Sequence, residues 1–176
     1  MKLFLVLLGL SLLCLPSFAQ PHKLEAENFG IELPSGWQVI DPPISTALGS
    51  TRRVFTAQSS DANRLIMITV APPLRSAGEI DTYFRSQAAT ISDKGWRVSA
   101  ARDETIAGLP FTYSTVSMTP DQPAFMFNAA TFTTSHIYGI TCIKKDGDAS
   151  TDTQLRAVLE SFHLLTPVTS LRRATR

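Results

Sequence analysis

Asp146, Gly147, Asp148 and Asp152 bring three carboxylates within seven residues, a density that invites a calcium ion. An EF-hand loop also needs a glycine at its sixth position and a glutamate at its twelfth. That frame is absent, so the segment reads as an acidic turn leading into a helix N-cap. The three histidines, His22, His136 and His163, form no close-spaced ligand pair with each other or with a cysteine, so zinc has no support. His136 and Cys142 lie on one expected strand, roughly 20 Å apart at ~3.3 Å per residue. They do not make a Cys-His dyad. No serine sits in a Gly-x-Ser-x-Gly elbow, and no glycine-rich loop precedes a helix. Asp103-Glu104 reads as an exposed turn. Carboxylates for glycoside hydrolysis could still meet on folding. No catalytic, cofactor or metal residue is assigned. Trp37 and Trp96 each follow a glycine at a strand start. They either close the ends of a core or line a ligand groove.

The N-terminus says where the chain goes. Lys2 precedes a nearly unbroken apolar run, Leu3 to Leu15, and Pro16 ends it. Ser17 and Ala19 place small residues three and one before a cut, the layout of a secretory signal peptide. The run is shorter than the ~20 apolar residues that span a bilayer. Residues 1–19 are expected to be removed, leaving a periplasmic or secreted chain from Gln20. Lipidation at Cys14 is the alternative, but Leu13 is a poor residue just before such a cysteine. In an h-region Cys14 is simply apolar.

Removing 19 of 176 residues leaves 157, one domain by size. The 16 basic residues face 15 acidic ones, and the leader carries only Lys2. A balanced chain has no electrostatic reason to bind nucleic acid or an anionic membrane. The asymmetry is C-terminal: Arg172, Arg173 and Arg176 follow the last acid, Glu160. Residues 166–176 are read as a flexible basic tail, a solvated end or a dock for an acidic partner. The mature chain keeps one cysteine, Cys142, inside the apolar run 137–143. An intramolecular disulfide is impossible, and a buried, inert thiol is expected.

Periodicity supplies the elements that must position any site. After a polar lead-in, 20–27, Phe29, Ile31 and Leu33 alternate as a half-buried strand, and Pro34-Ser35-Gly36 turns. Arg52–Ser59 and Arg64–Ala71 form two strands. The second is apolar on both faces, Leu65, Met67 and Ala71 against Ile66, Ile68 and Val70, which predicts a strand between two layers. Ser76 and Glu79 suggest a capping box. Ile80, Tyr83, Phe84, Ala88 and Ile91 follow with helical spacing. Trp96–Ala101 and Leu109–Met118 read as strands, the latter with hydroxyls on one face. Residues 124–133 and 137–144 form a hairpin around Thr134-Ser135-His136, with Phe125 and Phe127 facing one way and Met126, Ala130 and Phe132 the other. A last helix buries Leu155, Val158, Leu159 and Phe162.

Phe29-Gly30-Ile31-Glu32-Leu33-Pro34-Ser35-Gly36-Trp37 resembles the opening strand and turn of PsbP-like domains. The central helix before Trp96, Gly108-Leu109-Pro110 at the head of a long strand, the hairpin and the closing helix 155–162 extend the resemblance over about residues 28–165. The fold is shared with periplasmic DcrB-like proteins and a Ran-binding nuclear-transport factor. The resemblance implies an α+β domain, an antiparallel sheet flanked by helices on both faces. It carries no partner or metal site over to this chain. The expectation is a monomeric, non-enzymatic binding or accessory protein, its ligand or partner in the cell envelope unidentified. The rivals are a small hydrolase whose residues converge only on folding and an envelope assembly factor using a sheet edge or the basic tail.

Overall fold

The computed structural model describes residues 18–40, 50–117 and 126–173. Residues 1–17 with Cys14, the segments 41–49 and 118–125 with Phe125, and 174–176 with Arg176 lie outside the described residues.

The domain is α+β, and every pairing among its described strands is antiparallel. The strands are β1 (Phe18–Leu24), β2 (Phe29–Pro34), β3 (Trp37–Val39), β4 (Arg52–Ser59), β5 (Arg64–Ala71), β6 (Arg97–Val98), β7 (Arg102–Ile106), β8 (Leu109–Ser117), β9 (Met126–Thr133), β10 (Ile137–Lys144), β11 (His163–Leu164) and β12 (Ser170–Leu171). The helices are α1 (Ile80–Ser92) and α2 (Thr153–Ser161). Two sheets form where one was expected. The larger runs β3-β4-β5-β10-β9-β8-β6, with β12 added to β9 and β7 to β8; the smaller runs β1-β2-β11.

The expected lead-in is structured. Residues 20–24 continue β1, paired to β2 from Gln20↔Leu33 to Leu24↔Phe29, and a 3-10 turn follows at Glu25–Glu27. Asp103-Glu104 is likewise strand rather than turn. β7 pairs β8 from Arg102↔Tyr113 to Ile106↔Leu109, joined through Ala107 and Gly108, both with positive φ. Glycine adopts that conformation without a Cβ penalty. The Asp103 carboxylate accepts the Thr112 hydroxyl at 2.7 Å. Glu104 pairs with Arg156 of α2, and Arg156 also reaches Glu160 at 2.7 Å.

Alternate residues of a strand point to opposite sides, so the central sheet has two. One side carries Ile66, Ile68, Phe127, Tyr138, Ile140 and Cys142 into the main core, with Phe29, Ile31 and Leu33 of β2 and Leu155, Val158 and Leu159 of α2. Phe162 sits at the centre, its ring 5.4 Å from Phe29, 5.6 Å from Tyr138 and 6.0 Å from Phe111. Asp152 starts α2: one carboxylate oxygen accepts the N–H of Gln154 and of Leu155, at 3.1 and 3.0 Å. The other side carries Ala130, Phe132, Ile137 and Ala71 into a smaller cluster with Ile80 of α1. Tyr83 and Phe84 clasp Phe132 edge-on at 5.5 and 6.0 Å.

α1 begins differently from the expected capping box. The Ser76 side chain makes no cap bond, and a 3-10 turn, Ala77–Glu79, precedes the helix. Glu79 reaches back to the Arg75 N–H at 3.1 Å instead.

Candidate functional site

Ile80 is the one described residue of α1 that is fully buried. Tyr83, Phe84, Ala88 and Ile91 are half-buried, because the helix stands off the sheet beyond its aromatic clasp. Between them opens a cleft of about 810 Å³, within the size range of small-molecule sites.

The floor comes from register. Ser114 of β8 lies opposite Asn128 of β9, Asn128 opposite Thr141 of β10, and Thr141 opposite Met67 of β5. All four line the cleft. The side chains of Ser114, Asn128 and Thr141 make no hydrogen bond with any described residue. Ser114 is only 6% exposed. Thr56 continues the row opposite Met67, 5% exposed, with an equally unpartnered buried hydroxyl. Of this row the Thr56 hydroxyl is shut off from solvent, and a buried polar group without a partner costs about 1–3 kcal/mol; Asn128 and Thr141 are half-exposed and open to the cleft. Beside it the floor dips at Gly139, where a Cβ would come within 2.7 Å of the Thr69 hydroxyl.

Charge stays at the rim. Asp81 of α1 is ion-paired with Arg173, whose guanidinium also donates to the Ala101 carbonyl at 3.2 Å. Arg85 donates to the Asp81 carbonyl and the Thr82 hydroxyl, each at 3.3 Å. Tyr83, the remaining ionisable residue among the described ones lining the cleft, has its phenol pushed up by burial. Among the described residues lining the cleft there is no His, Cys, Lys or Glu.

The residues singled out from sequence are dispersed. Trp37 is in the main core at 5% exposure, on the β3 end of the large sheet. Trp96 precedes β6 at the opposite end and lies half-buried under the Lys94 ammonium, 5.6 Å from its ring. Neither lines the cleft. The segment read as a flexible tail is anchored through residue 173: β12 pairs Ser170 and Leu171 with Thr133 and Phe132, and Leu171 packs on the smaller cluster. Arg173 is therefore a strut to α1, while Arg172 is exposed. Cys142 is 1% exposed, its thiol pushed up to about 12 by burial and by the nearby Asp152 charge. Burial alone would raise the Asp152 carboxyl. The Leu155 N–H, Arg64 at 2.9 Å and Lys144 at 3.2 Å outweigh it and hold the group below the usual carboxylate range. Asp148 accepts the Ser150 N–H and hydroxyl at 2.8 and 2.7 Å. Asp152 caps α2, and Asp148 caps the 3-10 turn Ala149–Thr151 just before it.

The polar row escaped the sequence reading because its members stand thirteen and fourteen residues apart. The available signals were hydroxyls alternating with apolar residues in β8 and an asparagine between Met126 and Ala130 in β9.

Comparison with protein-family models gives no match, and comparison with curated proteins gives none either. Among solved structures the chain is similar to the solution structure of cyanobacterial PsbP (CyanoP) from Synechocystis sp. PCC 6803. The TM-score is 0.58 at 11% identity, covering 86% of this chain and 95% of that one. The chain has a PsbP-like fold. At that identity the likeness establishes fold and nothing about ligand or partner. No helix among the described residues is long and apolar enough to cross a membrane.

Proposed function

We propose that this chain is an extracytoplasmic, non-enzymatic binding or accessory protein that receives its ligand between α1 and the central sheet. The carrying observation is the cleft of about 810 Å³ whose one lining carboxylate among the described residues, Asp81, is held by Arg173 at the rim. Hydrolysis needs a nucleophile or general base within reach of a bound substrate. Among the described residues the floor offers hydroxyls and an amide with no base beside them, and this favours binding. Export rests on the leader, with Gln20 as mature N-terminus; a start there keeps 20–24 paired to β2. The proposal includes a monomer with α1 and α2 on opposite faces of the sheet. It also includes the wider kinship with DcrB-like and Ran-binding proteins, supported by the turns and core positions quoted above.

Native mass spectrometry tests this reading. The exported protein, incubated with small molecules extracted from its own envelope fraction, is expected to retain an adduct. Ala88→Trp, which fills the cleft from α1, is expected to lose it. An adduct equally retained by folded Ala88→Trp, or steady chemical turnover of an extracted compound, contradicts the proposal.

A further inference from the structure

We infer that the cleft takes an uncharged amphiphile, an aliphatic body bearing an amide or hydroxyl head, with Ser114, Asn128 and Thr141 reading the head. The inference rests on the binding role proposed above and specifies its ligand class.

Cross-strand neighbours on one sheet face stand roughly 4.5–5.5 Å apart, so Ser114, Asn128 and Thr141 form a contiguous strip across β8, β9 and β10. Asn offers two donors and an acceptor, and each hydroxyl offers both. The strip can therefore satisfy a group that donates and accepts together, such as a primary amide. Buried polar groups are normally paired. The Ser114 residue is over nine-tenths buried and lines the cleft, and its hydroxyl, bonded to no described residue, remains available to a ligand. Among the described residues no charged side chain joins the strip. Arg173 and Asp81 cancel one another at the rim, and Arg85 is turned onto its own helix. A carboxylate or ammonium brought to this floor would lose its hydration without gaining a counter-charge. The flanks are apolar and adaptable. Met67 and Met126 lie on the sheet, Phe84, Ala88 and Ile91 on the helix. Unbranched methionines repack around flexible chains.

Three probes of equal length separate head from body: octanamide, octanoate and octylammonium. Each is titrated into the mature protein labelled at methionine, leucine and valine methyls and followed by NMR. Octanamide is expected to shift Met67 and Met126 while leaving Leu155 and Val158, across the sheet, in place. Both charged probes are expected to bind at least tenfold more weakly. Asn128→Leu is expected to weaken octanamide about tenfold, the worth of one to two hydrogen bonds, with the Leu155 and Val158 signals confirming an intact fold. Equal or tighter binding of a charged probe at Met67 and Met126 overturns the ligand class while leaving a binding cleft. Octanamide affinity unchanged in Asn128→Leu overturns the role of the strip. Failure of all three probes to shift the two methionines overturns the inference, and the adduct measurement with Ala88→Trp then decides the binding role by itself.

Discussion

The two sides of the central sheet are built to different standards. On the α2 side, Ile66, Ile68, Tyr138, Ile140 and Cys142 are each at most 1% exposed, and the partners of β2 and α2 interlock around Phe162. On the α1 side the same strands present Met67, Thr69, Gly139, Thr141 and Asn128, all half-exposed. A helix meets them firmly only at its N-terminal turn. β5 makes the contrast within eight residues: its even-numbered positions Ile66, Ile68 and Val70 are sealed, while Leu65, Met67 and Thr69 are not. A fold stabilised mainly on one side leaves the other free to carry polar groups that no neighbouring side chain pairs.

The largest expected effect lies on the sealed side. Phe162→Ala should cost about 3–5 kcal/mol, read from urea denaturation, a large share of a typical 5–15 kcal/mol stability. Phe84→Ala, on the half-open helix, should cost about 1–2 kcal/mol. Equal losses would erase the distinction between the sides.

Asp152→Ala should cost about 2 kcal/mol through loss of the α2 cap and its partly exposed ion pairs. Because the folded-state carboxyl lies below its ordinary value, its contribution is complete above the ordinary carboxylate range. It fades as pH falls through that range toward the folded value. The stability gap between parent and Asp152→Asn should therefore narrow from pH 7 to pH 3. A gap that stays constant would show that charge is not what Asp152 contributes.

Deleting residues 167–176 removes Leu171 from the smaller cluster and Arg173 from Asp81. The loss should be about 1–2 kcal/mol, smaller than for Phe162→Ala, with faster amide exchange confined to α1. A loss as large as that of Phe162→Ala would make the C-terminal strap part of the main core. The smallest effect concerns Cys142. With its thiol pushed up to about 12, thiolate is negligible at pH 8, and a thiol reagent should label it only after denaturant is added. Rapid labelling of the folded protein would mean that the sealed side opens.

The helices and the hairpin were legible because their burial repeats. Ile80 to Ile91 and Leu155 to Phe162 follow the helical period, and β9 and β10 alternate. β1 was not, since Gln20-Pro21-His22-Lys23-Leu24 has a single large aliphatic residue and takes its strand conformation from pairing with β2. β12 was hidden for the same reason: Leu171 alone has no period. Trp37 and Trp96 drew attention by size, yet they stand at opposite ends of the sheet. The polar strip depends on the registers of β8, β9 and β10, which are set by long-range pairing and leave no contiguous trace in the chain.

That the α1 side is not built for stability is tested most directly by replacing its polar strip with apolar residues of similar size. The measurement is the urea denaturation midpoint of the triple variant Ser114→Ala, Asn128→Leu, Thr141→Val. The account predicts a midpoint equal to or above that of the parent, since unpaired polar groups are removed and no bond is broken. A midpoint lowered by the equivalent of about 2 kcal/mol or more would contradict it, placing the strip among the interactions that hold the fold.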